Sequence, residues 1–441
     1  MSNEIGLMKR VRTIFQVVCA ALALAFVAML VAPELSRSAA EKPREVELSF
    51  MAAGNRSQKD AYLQLCREFE AEHPDIGVRL EWIGVGNYFG MVLTRIAGRV
   101  PPDVFWFNDP LVPSYADKNA LLDLTAFAER DLAGEMDDFH PLALQPFIYD
   151  GGLYGLPLSF GIWVLAYNKA HFDEAGIPYP NDEWTWDTLR EVAIQLTRRD
   201  ERGRVTRFGL AAIPHYEMMD IITGKRFLGT DFKTLHYTDP ENIRAASLIH
   251  ELAVSDRVAP GIGEREEQST GGLFQSGRAS MNFIGRWMID EFNAVQELDY
   301  DVAPIPLWRN GHRGTMTRVV GFCIPRDSKH HEEAWKLVKF LSSKGVSEVM
   351  AATDNVPARL SVLRSPAFLH SDARPESIEV FADAVSYARL AQIADPPLPL
   401  MLKETSEGIL AGLYTVEEAM QKLTRETERF VDRKGARLLR E

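Results

Sequence analysis

The segment that decides the fold is Pro102-Asp103-Val104-Phe105-Trp106-Phe107-Asn108-Asp109. Its run of four apolar residues is typical of a strand buried on both faces. Apolar and polar residues alternate at 46–50 and again at 78–82, which predicts two earlier strands. Between the strands lie stretches with apolar residues at helical spacing, the first with Ser57 as its expected N-cap. This β-α-β-α-β order predicts an open, mostly parallel sheet.

The same pattern returns in the second half of the chain. Residues 163–167 predict another buried strand, and Thr185 is expected to open the helix that follows it. A further doubly buried strand is predicted at 319–325, and residues 376–430 are expected to be mostly helical. The fold class predicted from these elements is α/β. At roughly 100–200 residues per domain, a chain of 441 residues has room for two or three domains.

Residues 1–40 have the features of an export signal. Basic residues precede an apolar run at 14–32, and Ser38-Ala39-Ala40 supplies small residues for cleavage. An uncleaved membrane anchor is the alternative, because the run is close to the roughly 20 residues that a spanning helix needs. We therefore expect a periplasmic protein, exported and either free or anchored at its N-terminus.

Charge and cysteine content exclude several classes of function. The formal net charge is −13 at pH 7, and an acidic surface repels phosphate backbones, so nucleic acid is not an expected partner. Beyond the leader the cysteines are Cys66 and Cys323, for which we expect buried thiols, with a disulfide as the alternative. No cysteine or histidine cluster has zinc spacing, and the chain contains neither a GxGxxG nor a Walker sequence. We therefore expect no metal and no cofactor.

Five segments occur in an order that matches one protein family. They are 102–109; 153–157 with 167–169 and 184–187; 274–287; 321–335; and 355–359. In this order they resemble the extracellular solute-binding proteins of family 1, which are the sugar-binding components of ABC importers. Each motif alone is weak, whereas the ordered set is specific and spans nearly all of the chain after the leader.

The resemblance implies a two-lobed fold of the type II periplasmic-binding-protein kind, similar to maltose-binding protein. Each lobe would be a mixed, mostly parallel sheet flanked by helices, joined to the other by a hinge of crossover segments. The implied bounds are 1–40 for the signal peptide, 41–158 and 317–358 for lobe 1, and 159–316 and 359–441 for lobe 2. The implied partners are a mono- or oligosaccharide and the transmembrane subunits of an ABC permease. The protein is expected to be a monomer, and not an enzyme.

A sugar site needs aromatic rings for the C–H faces of the sugar and planar polar groups for its hydroxyl pairs. Trp106 and Asp109 match family positions that contact sugar. Trp287 matches the stacking aromatic of the second lobe, and Arg359 matches a position near the site. Three of these residues have a structural alternative: Asp109 would cap a helix, and the two tryptophans would belong to a core.

Further candidates are chosen by their positions in the predicted elements. They lie in turns at strand ends, at the hinge crossing, in a loop of the second lobe, next to Trp287, and in the strand predicted at 319–325. In chain order they are Asn55, Asn87, Tyr88, Ser159, Phe160, Trp163, Tyr216, Glu217, Arg286 and Gly321. Asparagine is common in turns for backbone reasons alone. Arg286 replaces a proline frequent in the family, so it either faces the cleft or pairs with an acid. Gly321 either admits a ligand closely or is a strand glycine near a bend.

Other functions remain open at this point. An exported glycoside hydrolase would need two carboxyl groups about 5–5.5 or 6.5–9.5 Å apart, with Asp109 and Glu217 as the candidates. The same fold could carry a glycerol phosphodiester or an acidic sugar on Arg56, Arg286 or Arg359, or a polyamine between acids and aromatic rings. A sensor kinase could replace the importer as partner. The sequence does not specify the sugar, its length or its linkage.

Overall fold

The computed structural model describes residues 44–108, 111–213, 218–229, 234–261, 269–352, 355–369, 374–390 and 397–434. In chain order the strands are β1 Val46–Ala53, β2 Ile76–Ile83, β3 Val104–Asn108, β4 Ile148–Tyr149, β5 Gly152–Leu153, β6 Leu156–Asn168, β7 Arg198–Arg199, β8 Val205–Leu210, β9 Ala279–Gly285, β10 Tyr300–Ala303, β11 Thr315–Cys323, β12 Val356–Pro357 and β13 Ala388–Leu390. The helices are α1 Arg56–Glu72, α2 Val85–Ala97, α3 Val112–Asp117, α4 Thr125–Asp131, α5 Pro141–Leu144, α6 Lys169–Ala175, α7 Trp186–Leu196, α8 Met219–Thr223, α9 Pro240–His250, α10 Thr270–Gln275, α11 Ile289–Asn293, α12 His331–Leu341, α13 Lys344–Met350, α14 Leu360–Leu363, α15 Pro366–Leu369, α16 Glu379–Ala384, α17 Pro397–Leu410 and α18 Val416–Lys434. The predicted α/β class is confirmed.

A mixed sheet of 11 strands runs through the molecule. Its main path is β2-β1-β3-β11-β6-β9-β8-β7, with β10 and β12 also paired to β6 and β13 to β11. The strands β2, β1 and β3 are mutually parallel, as the sequence predicted, and β8 is parallel to β9. Between these parallel groups, β11 and β6 run antiparallel to their neighbours on the path. We call the part built on β1, β2 and β3 the first lobe and the part built on β8, β9 and β10 the second lobe.

The strands β6 and β11 cross between the lobes. β6 has 13 residues; its first half pairs with β11 and β12, and from Trp163 onward it pairs with β9 and β10. β11 pairs with β3 through residues 320–323 and with β13 through 315–317. The strand predicted at 163–167 is part of the longer strand β6. The strand predicted at 319–325 overlaps β11, which begins four residues earlier and ends at Cys323. The start of β11 was not predicted, because polar residues at its beginning lie outside the apolar run from which the strand was predicted.

The first helix begins with a capping box around Asn55. Asn55 Oδ1 accepts from the amide of Gln58 at 2.9 Å, and Gln58 Oε1 accepts from the amide of Asn55 at 2.8 Å. The expectation that Ser57 is the N-cap was wrong, because this reciprocal pair starts α1 two residues earlier. The apolar stripe was right: Tyr62 and Phe69 are both buried against the sheet.

Buried side chains form two clusters. One includes Phe105 of the first lobe and is continuous as far as Tyr300 of the second, so the lobe bounds implied by the resemblance stay a prediction. Cys66 and Cys323 are free thiols buried in this cluster, as expected, and burial raises the pKa of Cys66 to about 12. The second cluster lies wholly around the second lobe and includes Trp186. Among the described residues, no helix combines the length and the apolar character needed to cross a bilayer.

Candidate functional site

Solvent reaches each of the two hinge strands at a single residue. Every residue of β6 is buried except Trp163, which is half-buried, and every residue of β11 is buried except Arg318. Gly161 lies on the same face of β6 as Trp163 because side chains alternate along a strand, and it pairs directly with Arg318. We call this accessible face, formed by Gly161, Trp163 and Arg318, the hinge floor.

The indole of Trp287 lies beside the hinge floor. Trp287 follows the end of β9 by two residues and is half-buried. Its ring centroid is 5.2 Å from that of Trp163, with the ring planes at 90°, an edge-to-face arrangement that aromatic pairs favour. A Cβ added to Gly161 would lie 3.4 Å from the Trp287 ring, and one added to Gly285 would overlap it. The two glycines therefore let the indole lie close against the strands.

Asn55 connects the first lobe to this pair of indoles. Its Nδ2 donates to the main-chain oxygen of Trp287 at 3.2 Å, while its Oδ1 is held by the capping box. Both ends of the amide are thus engaged, which fixes its orientation. The hydrogen bond joins the N-terminus of α1 in the first lobe to the segment after β9 in the second.

Tyr88 and Trp106 lie together in the first lobe. Their ring centroids are 5.4 Å apart, and Phe89 lies 5.9 Å from Trp106. The buried hydroxyl of Tyr88 lies 2.8 Å from the carbonyl oxygen of Met51 and 2.6 Å from that of Trp106. Burial raises the pKa of Tyr88 well above its ordinary value, so the hydroxyl stays protonated and ties β1 to β3. We therefore leave Tyr88 out of the proposed site, whereas half-buried Trp106 keeps an accessible part.

Arg286, the residue before Trp287, is buried. Its Nη2 lies 3.3 Å from the carbonyl oxygen of Ala351 and 2.8 Å from that of Ala352, just after α13. These bonds tie the second lobe to the segment that leads into β12. These contacts with main-chain oxygens disfavour an orientation of Arg286 into the cleft, and its pairing with an acid stays a prediction.

Arg359 is buried in a separate cluster in the first lobe. Its Nε donates to the carbonyl oxygen of Ser342 at 2.8 Å, and its Nη1 donates to Asp138 Oδ2 at 3.1 Å. The guanidinium carbon lies 4.3 Å above the ring of Phe139. Asp138 also accepts from the amide and hydroxyl of Ser361, each at 2.8 Å. Arg359 therefore has partners that explain it without a ligand.

Phe160 and Ser159 lie on opposite faces of β6. Phe160 is fully buried on the face away from the hinge floor, with its ring centroid 5.5 Å from that of His140. Ser159 shares the face of Gly161, but it is buried as well. Of the three candidates that the sequence placed around the hinge crossing, only Trp163 is in contact with solvent.

Gly321 and Asn87 are in different environments, one packed within the sheet and the other exposed. A Cβ at Gly321 would overlap the carbonyl oxygen of Leu156 and the ring of Phe147, next to a register shift between β11 and β6. Gly321 is thus a strand glycine at an irregularity, required by protein packing. Asn87 is exposed in the first turn of α2.

Three predicted site residues, Asp109, Tyr216 and Glu217, lie outside the described residues. Within the described ranges, no group of histidine, cysteine, aspartate and glutamate side chains is arranged to hold a metal ion.

Sequence reasoning missed Arg318, Gly161 and Gly285. The signal for Arg318 was present: it is a single charged residue in the otherwise uncharged strand β11. The glycines carry no such signal, because their role depends on where the indole of Trp287 comes to lie. Together the structure brings the indoles of Trp163 and Trp287 and the amide of Asn55 to one place, with Arg318 on the adjacent strand. Indoles bind apolar faces, and an amide binds hydroxyl oxygens.

Two cavities on the described surface lie elsewhere. One of about 520 Å³ is lined by residues of α1, α12 and α13, and one of about 460 Å³ by residues of α4 and the β4–β5 hairpin. Of the predicted site residues that the structure describes, none lines either cavity.

The chain is similar to known binding proteins over most of its length. Residues 53–348 match the family model described as bacterial extracellular solute-binding protein. The chain is 25% identical over 351 residues to the arabinooligosaccharide-binding protein of Bacillus subtilis, covering 75% of this chain and 76% of that one. A putative binding protein of Brucella abortus is 26% identical over 286 residues, covering 63% of this chain and 67% of its own.

Among solved structures, an ABC substrate-binding protein from Listeria monocytogenes in complex with cycloalternan superposes with a TM-score of 0.80. It is 26% identical, and the match covers 88% of this chain and 99% of that one. The fold is that of the two-lobed type II binding proteins, as predicted. The chain belongs to the bacterial extracellular solute-binding protein family.

Proposed function

We propose that this protein captures a mono- or oligosaccharide between its lobes and delivers it to the permease of an ABC importer. The observation that carries the proposal is the perpendicular pair of Trp163 and Trp287, located where solvent reaches the hinge strands. Indole rings offer C–H faces of a sugar an apolar surface with favourable electrostatics. Asn55 and Trp106 complete the described part of the site, and Asp109, Tyr216 and Glu217 are proposed to supply further hydrogen bonds.

Relatives support a sugar as the cargo. One is named as an arabinooligosaccharide-binding protein, and one solved neighbour holds cycloalternan. A cargo with phosphate or carboxylate was expected to use Arg56, Arg286 or Arg359. Arg286 and Arg359 are buried against main-chain carbonyls and a carboxylate, so neither of these two arginines supports a glycerol phosphodiester as the cargo.

The proposal includes binding without chemistry, by a monomer working in the periplasm. The family and its neighbours are binding proteins, which favours capture over hydrolysis. The export signal expected at 1–40 would bring the chain to the compartment where importers collect their cargo.

A thermal-shift screen over mono- and oligosaccharides tests the function. A sugar that binds only the folded protein raises the melting temperature, by an amount that grows with ligand concentration. We expect at least one arabino-, galacto-, malto- or manno-oligosaccharide to do so, with a calorimetric stoichiometry of one and no new product on chromatography. A screen without any shift would contradict sugar binding, and released smaller sugars would identify a hydrolase instead.

Substituting Gly285 with alanine should weaken the binding of that sugar about three- to fivefold. The backbone at Gly285 has φ −98°, which any residue adopts, so the added Cβ acts only by displacing the indole of Trp287. Calorimetry on the purified variant measures the change. Gly345→Ala is the matched control, because a Cβ there meets open space, and its affinity should equal that of the wild type. An unchanged affinity in Gly285→Ala would show that ligand binding does not depend on the position of the Trp287 indole.

A further inference from the structure

Arg318 is a charged residue in an otherwise buried strand. All other residues of β11 are buried, and the strand crosses between the lobes. Solvent reaches the hinge strands here and at Trp163, so the exposed part of Arg318 belongs to the same surface as the indole pair.

The direction of the Arg318 side chain follows from strand pairing. Residues directly opposite in an antiparallel pair project to the same face, and Arg318 is opposite Gly161. A Cβ added to Gly161 would lie 3.7 Å from the Cβ of Arg318 and 3.4 Å from the ring of Trp287. Trp163, two residues further along β6, is the diagonal neighbour of Arg318, at a spacing that long side chains span. The side chain of Arg318 therefore projects from the hinge floor next to the two indoles.

We propose that Arg318 is a ligand-binding residue that determines specificity. Its guanidinium donates to two adjacent hydroxyl oxygens on the edge of the sugar unit whose C–H face lies on Trp287. The group is planar, always charged and carries donors in a fixed fork, so it recognises pairs of oxygen acceptors at a defined spacing. This inference rests on the proposed function, because it assigns a polar partner to the sugar in that same site.

The test compares three variants by calorimetry with arabinotriose, maltotriose, mannotriose and galactotriose, using whichever of them the wild type binds. Arg318→Met removes the charge and keeps much of the apolar stem, and Arg318→Lys keeps the charge but loses the fork. Arg204→Met is the control. Arg204 is exposed in the turn before β8, and β8 is parallel to β9, so this turn lies at the opposite end of the sheet from Gly285.

We expect Arg318→Met to bind at least fivefold more weakly, Arg318→Lys to bind two- to fivefold more weakly, and Arg204→Met to be unchanged. The melting temperatures of the ligand-free variants should stay within about 2 °C of the wild type, which separates binding from folding. Equal affinity in wild type and Arg318→Met overturns the inference. The inference is also overturned if Arg318→Met loses affinity only to the extent that its melting temperature without ligand falls. If the wild type binds none of the four sugars or any other sugar of the thermal-shift screen, the proposed function has failed rather than the role of Arg318.

Discussion

Replacing Trp287 with alanine should lower the affinity for the bound sugar at least tenfold, because a lost stacking platform costs on the order of 1–3 kcal/mol. The indole is half-buried against Trp163 and above Gly161, so its removal opens a gap where the C–H face of the sugar would lie. Calorimetry with the sugar found by the thermal-shift screen measures the change. An affinity equal to that of the wild type would remove Trp287 from the site.

Trp287→Phe is the matched variant for this experiment. A phenyl ring keeps an aromatic surface but covers less area, so an intermediate affinity is expected. The main-chain oxygen of Trp287 that accepts from Asn55 is unaffected by either substitution, so the contact between the lobes is retained in both. The melting temperature without ligand must be measured beside the affinity, since Trp287 also packs on Trp163. A drop in affinity shared equally by the phenylalanine variant would indicate a specific need for indole rather than for an aromatic face.

Much of the fold could be predicted because its signals are local. The apolar run at 104–107 and the alternating residues at 46–50 are strands for reasons contained in a few residues each. The cap of α1 was placed wrongly because two capping-competent residues, Asn55 and Ser57, lie close together. Gln58 decides between them, because its side chain accepts a hydrogen bond from the amide of Asn55. That contact becomes known only from the structure.

The site was less predictable, because it depends on which face of each element turns toward the cleft. Ser159, Phe160 and Trp163 are close in sequence, yet the pleat of β6 sends Phe160 to the opposite face. Arg286 and Arg359 are residue types suited to a ligand, but backbone carbonyls and Asp138 from distant segments engage them. These partners are 17 to 221 positions away along the chain, so no local sequence pattern predicts them.

Replacing Arg359 with methionine should destabilise the folded protein by about 3 kcal/mol. Breaking a buried ion pair by removing one partner typically costs about 3–5 kcal/mol, and the low end applies because Asp138 retains partial solvent contact. The substitution also removes the donor to Ser342 and the cation above the ring of Phe139. Chemical denaturation of the ligand-free protein measures the free energy of unfolding. Arg364→Met is the control: Arg364 pairs with Asp383 on the surface, where such pairs contribute about 0–1 kcal/mol.

The destabilisation caused by Arg359→Met should depend on pH, and its direction follows from Asp138. Burial alone raises the pKa of Asp138, but hydrogen bonds from Ser361 and the pairing with Arg359 outweigh it and hold that pKa below the usual aspartate value. A carboxyl group with a depressed pKa in the folded state stabilises the protein above its unfolded pKa, about 3.9, and this contribution is lost as the pH falls through the folded pKa. The difference in unfolding free energy between wild type and variant should therefore be largest near neutral pH and shrink below about pH 4. A difference that stays constant from pH 7 to pH 3 would mean that Arg359 acts through packing on Phe139 and its bond to Ser342, and that its charge contributes nothing to stability.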